Sequence, residues 1–427
     1  MWETMRNVWR VPELRKKLLY TFFMLLIYRL VSVIPVPGLD PTNMVGATND
    51  YQVLSLLSMM TGNAFSQLTI MAMGISPYIN ASIIMQLLTI AIPALERLQK
   101  DGGEEGKKKI NRITRYVTVG LAALQAVGII MALNNQYQVI TSGYQNFWGY
   151  CYIGIVMAGG TALAMWIGER ITKNGIGNGI SLLIFAGIIS NLFNGILGAV
   201  QRVFNGGGMA AVGQLATIVI ATLVILVVVT YVDMAERRIP VQYAKRVVGR
   251  KMYGGQSSHI PLKLLAVGVL PLIFAYSFMA FPGTVLAIVA RNSGVYQWWT
   301  DNMTQSSPLY MIICALLFIA FSFFYTSITF NPQDIAKNIQ QQGGHIPGIR
   351  TGSKTVEYLS RTSNRLTLFA ALFLAILSTI PSLLTVWQQV QIPFGASSIL
   401  IAVSVAIETV RQVESQLVMR NYKGFLG

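Results

Sequence analysis

The side chains able to do chemistry are few and scattered. Two cysteines, Cys151 and Cys314, sit inside apolar runs, and two histidines, His259 and His345, lie in separate polar stretches. Neither pair supports a disulfide framework, a cysteine metal site or imidazole catalysis. No H-E-x-x-H, G-x-S-x-G or Walker pattern occurs, and there is no helical pair of carboxylates. The stretch Gly175-Ile176-Gly177-Asn178-Gly179 lacks the G-x-G-x-x-G spacing and a preceding strand. It reads as a tight turn into an apolar run rather than a dinucleotide site. Ionisable groups at membrane depth are where transporters and membrane enzymes keep their working parts. Here the candidates are Arg29, Glu408 and, near an end, Asp233. Snorkelling from a helix flank accounts for Arg29, and interfacial solvation for Glu408. This inventory points away from catalysis, and no cofactor or metal is expected.

Whatever positions these residues is built from apolar helix. Of the 427 residues 53% are hydrophobic and only 11% charged, with a mean hydropathy of +0.54. Soluble domains carry about a quarter charged residues, so most of this surface must face lipid. Ten windows approach the roughly 20 apolar residues that a span needs. They run 18–36, 72–92, 116–133, 149–168, 180–200, 214–232, 262–290, 309–330, 366–386 and 397–413. Backbone amides in hydrocarbon have no water partner, so each is expected to be a helix. The first window follows Arg6, Arg10, Arg15, Lys16 and Lys17 but is longer than a signal-peptide core and lacks a small-x-small cleavage site. It reads as a retained span. A weaker stretch, Tyr51 to Ile70, is interrupted by Thr61-Gly62-Asn63 and reads as a folded-back segment.

The cations orient these spans. Of 32 Lys and Arg residues, 29 fall in alternate loops: 1–17, 94–115, 169–178, 234–263, 331–365 and 411–427. Positive loops stay in the cytoplasm, which places both termini inside. Five spans precede the Asn205-Gly206-Gly207-Gly208 stretch and five follow it. An odd number per half implies opposite orientations, the arrangement of inverted-repeat membrane proteins with a functional path between the halves. The expected architecture is an all-α polytopic membrane protein, with an N-terminal half over 1–204 and a C-terminal half over 205–427. On span counting alone, an inverted-repeat secondary transporter of a small solute is the competing reading. It should show polar or charged residues on broken helices at mid-depth.

Two cytoplasmic loops are far longer than helix–helix links require. Loop 234–263 carries Arg237, Arg238, Lys245, Arg246, Arg250 and Lys251, and loop 331–365 carries Gly348-Ile349-Arg350-Thr351-Gly352. Attraction to anionic phospholipid headgroups, about 1 kcal/mol per cation, accounts for charge near helix ends. It accounts poorly for Arg350, held in a glycine-bounded turn away from both flanking spans. A cytosolic partner, protein or RNA, fits better.

Two long segments carry a resemblance. Thr69 to Leu88, TIMAMGISPYINASIIMQLL, is similar to the signature at the second helix of the SecY family of protein-conducting channel subunits. Trp166 to Ser181, WIGERITKNGIGNGIS, resembles the family's second signature. Tyr243-Ala244-Lys245-Arg246, Gln256 to Lys263 and His345 to Arg350 match further family segments, so the resemblance covers nearly the whole chain. It implies two five-helix halves around an hourglass pore that passes unfolded secretory preproteins and releases membrane helices sideways into lipid. It places an aliphatic pore ring on Ile75, Ile79, Ile184, Ile273 and Ile401, a short plug helix on about 51–67, and polar lateral-gate positions at Gln86 and Asn178. The gate would lie between the second and third spans on one side and the seventh and eighth on the other.

Ile75 and Ile79 are four apart and share a helical face, and a narrow aliphatic ring resists wetting. Without the resemblance, each is simply an isoleucine in a membrane helix. The implied partners are the small membrane subunits SecE and SecG, the motor ATPase SecA, the translating ribosome with its RNA, signal peptides, preproteins and anionic phospholipids. Docking is assigned to Lys245, Arg246, Arg250, Lys251 and Arg350, and the implied location is the bacterial cytoplasmic membrane. Two departures stand out. Thr351 replaces the family's usual proline, which removes a preset φ angle, and Ala396-Ser397-Ser398 replaces Gly-Gly-Thr-Ser.

Overall fold

The computed structural model describes residues 9, 11–44, 61–205, 208–243, 246–248, 251–253, 257–265, 268, 271–272, 274–276, 278–279, 282, 286, 293–303, 307–388 and 396–423. Contacts divide the chain into two compact units. The first holds Met1–Arg202, Val285–Arg291 and Val405–Gly427, and the second holds Val203–Thr284 and Asn292–Ser404.

In the first unit, α1 (Pro12–Val31) opens on a proline and Glu13, both suited to a helix N-terminus. The Ser32 hydroxyl donates back to the Tyr28 carbonyl at its far end (2.7 Å). α2 (Ser76–Ala91) starts with Pro77 in its first turn. It stops because Pro93 forces Ile92 out of the helical region, to φ −106° and ψ 110°. α3 (Pro93–Lys100) then leaves at a bend of 104°. α4 (Gly103–Tyr137), α5 (Phe147–Asn174) and α6 (Gly179–Phe204) complete the unit's long helices. α5 is the most enclosed of the apolar helices, with 56% of its apolar window buried against 28% for α6. That makes it the internal post of this unit.

The second unit contains α7 (Gly208–Met234), α8 (Gly294–Asn302), α9 (Pro308–Thr329), α10 (Pro332–Gln341) and α11 (Ser353–Gln388). α12 (Ala396–Lys423) has its first residues in this unit and the remainder in the first. Among the described residues, α4, α5, α6, α7, α9 and α11 are long and apolar enough to cross a membrane, and the bent α2–α3 pair makes a seventh. The chain is a helical, multi-pass membrane protein. The window 18–36 falls on α1, 397–413 falls on α12, and much of 262–290 lies outside the described residues.

A reading based on spans assigns no strands, yet the long loops contain them. β1 (Glu236–Tyr243) pairs antiparallel with β4 (Ser257–Lys263), with Ile239 opposite Ile260 and Arg237 opposite Leu262. β5 (Gly344–His345) adds to the other edge of β1 at Gln242 and Tyr243 only. Pro240 therefore sits where one edge of β1 has no neighbour, which is where a strand tolerates a missing N–H. β2 (Arg246–Val248) and β3 (Lys251–Tyr253) form a separate two-stranded hairpin.

Candidate functional site

The candidate pore helix is launched from an unusual platform. Thr61 to Ile75 is almost all turn, stitched by short-range bonds such as Leu68 N–H to Phe65 O (2.9 Å) and Gly74 N–H to Met71 O (2.8 Å). Its flanks pair with the chain leaving α1: Val36 N–H donates to Leu68 O and Ile70 N–H to Ile34 O, both at 3.0 Å. Phe65, Leu68, Ala72 and Met73 are buried in a core with Val36, Leu39, Ile130, Leu133, Val139, Ile153 and Met157. Non-helical backbone survives at membrane depth only when protein encloses it, and this cluster provides the enclosure.

Within that segment the backbone is strained. Gly62, Asn63, Leu68 and Gly74 all have positive φ, and Leu68, at +47°, is a branched residue with no exposed surface. Such a conformation costs about 1–2 kcal/mol for a non-glycine. Gly62 is required on two grounds. Its φ is +64°, and a Cβ there would stand 2.7 Å from Arg29 Nη1 and 3.0 Å from the Gly187 carbonyl. Arg29 itself donates to the Gly62 carbonyl (3.3 Å). The arginine that sequence alone assigns to snorkelling thus holds the backbone of this turn.

Ile75 occupies the N-cap of α2 and Ile79 lies one turn on, its N–H bonded to the Ile75 carbonyl (3.1 Å); both are buried. The two isoleucines therefore share one face, as their spacing requires. Ile184 is half-buried on α6 in the same unit. Ile401 is half-buried on α12 and belongs to the second unit, and Ile273 lies outside the described residues. Of the expected plug, 51–60 lies outside the described residues, and 61–67 is the start of the turn segment.

The two polar positions that the resemblance assigns to a lateral gate differ. Gln86 is half-buried on α2, and its backbone carbonyl accepts the Thr89 hydroxyl (2.7 Å). Asn178 is exposed and caps α6, with Oδ1 accepting from the N–H groups of Ile180 (3.1 Å) and Ser181 (3.4 Å). The Gly-Asn-Gly spelling before an apolar run signals such a cap. Of the other ionisable groups flagged in apolar runs, Asp233 accepts the Ser404 hydroxyl (2.9 Å) inside the second unit. Glu408 is exposed.

The candidate docking surface is a small sheet-and-helix platform in the second unit. Ile239, Val241, Leu262, Ala336, Ile339, Ile346 and Leu359 form its apolar core. Arg237, Arg238, His259, Lys263, Lys337 and Arg350 are exposed around it. Alternation builds this division: Ile239 and Val241 are buried while Arg238, Pro240 and Gln242 are exposed. That period of two was readable in the sequence and is the signal for the strand. α10 is fixed by Asn331, whose Oδ1 accepts from Gln333 N–H (3.1 Å) and whose Nδ2 donates to Asp334 (2.8 Å). Gly344 lets β5 approach: an added Cβ would lie 2.9 Å from the Tyr243 ring and 3.1 Å from Ile339. The Arg350 carbonyl accepts the Thr355 hydroxyl (3.0 Å), tying the exposed turn to the start of α11. Arg246 and Lys251 stand on β2 and β3, opposite Tyr253 and Val248, whereas Lys245 and Arg250 lie outside the described residues.

An enclosed turn segment launches an apolar helix, and a basic platform is built on the long loops of this multi-pass membrane protein. The SecY family profile matches residues 69–410, and the chain belongs to that family. A relative from Streptomyces galbus, described as "Protein translocase subunit SecY", is 41% identical over 443 residues, covering 98% of each chain. The fold is shared with a solved structure titled "The structure of a protein conducting channel", at a TM-score of 0.66, 20% identity and 96% coverage of both chains. It is also shared with a chain of the canine ribosome-channel complex from the endoplasmic reticulum, at a TM-score of 0.60, 18% identity and 96% coverage of both.

Proposed function

We propose that this chain forms the channel of a protein translocase, passing unfolded preproteins across a bacterial cytoplasmic membrane and releasing apolar helices sideways into lipid. The observation that carries the reading is the buried Ile75–Ile79 face at the head of α2, lying within the family match and joined directly to the enclosed turn segment. An aliphatic face excludes water without demanding a partner from whatever passes. Family membership gives no support to a small-solute transporter. The action is conduction, with the driving force supplied by partners rather than by chemistry in this chain.

In this reading Ile75, Ile79, Ile184, Ile273 and Ile401 form the seal, about 51–67 is the plug, and Gln86 and Asn178 border the lateral gate. Ten spans in two inverted halves, 1–204 and 205–427, put both termini in the cytoplasm. SecE and SecG are the membrane partners, and signal peptides and preproteins the cargo. SecA and the ribosome dock on loops 234–263 and 331–365 through Lys245, Arg246, Arg250, Lys251 and Arg350, alongside anionic phospholipids. The canine complex, in which a protein of this fold sits with a ribosome, supports the ribosome as a partner.

The test is reconstitution. Purified chain with its small subunits should transport a preprotein into proteoliposomes only with SecA and ATP. Accumulation of a small solute by the chain alone, against an ion gradient, would overturn the reading. Replacing Ile75 and Ile79 by serine should raise the ion conductance of the resting channel, and unchanged conductance removes both from the seal. Arg350→Glu should impair SecA- or ribosome-dependent transport while leaving membrane insertion intact. If both kinds of docking persist, the role given to that turn is wrong.

A further inference from the structure

One stripe of α11 is unlike the rest of the molecule. Ser360, Arg361, Asn364, Arg365 and Leu368 fall on a single helical face, and with Phe323 of α9 they line an open groove of about 480 Å³. The two helices that flank the groove are joined nearby, where the buried Thr367 hydroxyl on α11 donates to the Thr326 hydroxyl on α9 (3.0 Å). Its charge is unbalanced. Glu357, at the groove's end, is shared by Lys354 (2.9 Å) and Arg361 (3.4 Å). Among the described residues, Arg365 has no carboxylate within ion-pairing reach. Both arginines are exposed.

Immediately beyond Arg365 the same face turns apolar and stays open. Leu368, Leu372 and Ile376 are 45%, 46% and 63% exposed. From Arg365 to Ile376 the helix rises about 16 Å, close to the hydrocarbon depth of one leaflet, about half of 30 Å. A soluble protein or an RNA could meet the arginines but not the ribbon below them. An amphiphile with an anionic head meets both.

We propose that this groove between α9 and α11 binds the phosphate headgroup of an anionic phospholipid. Arg361 and Arg365 take the phosphate, Ser360 and Asn364 hydrogen-bond its ester and headgroup oxygens, and Phe323, Leu368, Leu372 and Ile376 carry an acyl chain. The proposal rests on the cytoplasmic placement of loop 331–365, which sets these arginines at headgroup level, and it gives that loop's neighbouring charges a lipid partner distinct from the motor and ribosome assigned to Arg350.

The test uses the full chain with its small subunits in phosphatidylcholine nanodiscs doped with a photoactivatable phosphatidylglycerol or a photoactivatable phosphatidylcholine of the same chains. Labelled peptides are mapped by mass spectrometry. Two cations near the surface should enrich phosphatidylglycerol labelling at residues 360–376 by about thirtyfold. The enrichment should vanish in Arg361→Gln/Arg365→Gln and survive in Arg361→Lys/Arg365→Lys, which shows that the glutamine chain's loss is of charge rather than of fold. Equal labelling by the two lipids overturns the proposal. So does displacement of the probe by millimolar inorganic phosphate, which would make the groove a phosphate site. Labelling that appears only when the small subunits are stripped away would make it a protein interface instead. Preferential labelling does not need transport, so an inactive translocase that still labels separates this inference from the channel reading.

Discussion

The turn segment Thr61–Ile75 and the platform of β1, β4, β5 and α10 face the same requirement, to satisfy backbone N–H and C=O groups that no helix pairs. They meet it in opposite ways. The turn segment bonds to itself over three to five residues and to the chain leaving α1, is sealed by apolar side chains, and has four residues at positive φ. Arg29 also reaches it, donating to the Gly62 carbonyl. The platform uses a regular antiparallel ladder, buries one face of β1, and displays its charges on the other. A ladder is satisfied only in one register, so the platform is a fixed surface. The turn segment holds strained backbone, which persists only because its surroundings over-determine it. Under the proposed function, the platform would be the docking surface and the turn segment part of the gate.

The largest expected effect attacks the platform. Ile239→Ala opens a cavity at a residue 1% exposed, and such truncations cost about 2–5 kcal/mol. Hydrogen exchange should accelerate across β1 and β4, and SecA-dependent transport should fall, while the ion conductance of the resting channel stays at its wild-type value. A rise in conductance of the same size would break the division between a docking surface and a gating segment.

Next comes Gly62→Ala. The φ of +64° and the 2.7 Å approach to Arg29 together should cost about 1–3 kcal/mol, from left-handed strain and overpacking. Here the expected pattern is reversed: the resting channel leaks ions, while exchange in β1 and β4 is untouched. Arg29→Met sharpens the point at smaller magnitude, because it removes the hydrogen bond but leaves the glycine backbone free. The expected loss is about 1 kcal/mol, with a leak smaller than that of Gly62→Ala. If Arg29→Met leaks as much as Gly62→Ala, the arginine rather than the glycine's shape holds the segment.

How much of this contrast was visible beforehand follows the same line. Helices announced themselves through hydropathy, and their edges through Pro12, Pro77, Pro93 and Pro308. The start of α2 did not: the apolar run 72–92 suggests a helix from Ala72, whereas Gly74 at φ +52° delays it to Ser76. Hydropathy reports what lies in lipid, not the sign of φ. The strands were legible in the alternation around Ile239 but were overshadowed by the charge of the loop. The partner of Arg29 had no sequence signal, since a carbonyl 33 residues away acquires its position only through tertiary packing. The Ile75–Ile79 face was legible from spacing, and the ring proposed for it rests on family resemblance alone.

The smallest effect tests whether surface charge contributes to the turn segment at all. Asp40 follows α1 on the strand-like stretch whose N–H bonds to Val139 (2.8 Å), beside the Val36–Leu68 pairing. Its carboxylate accepts both the backbone N–H (2.9 Å) and the hydroxyl (2.7 Å) of Thr42, which hold its pKa below the usual carboxylate range. A group depressed in the folded state stabilises it above the ordinary pKa, about 3.9, and that stabilisation disappears as pH falls through the lower folded value. Exchange of the Thr42 amide should therefore quicken only in that acid window, and Asp40→Asn should flatten the pH dependence without changing the conductance of the resting channel at neutral pH. The site is fully exposed, so water competes for each of its bonds, whereas Gly62 is enclosed between α1 and α6. If Asp40→Asn nevertheless opened the channel at neutral pH, the turn segment would depend on charge at its solvent edge, and apolar enclosure would no longer explain why it stays shut.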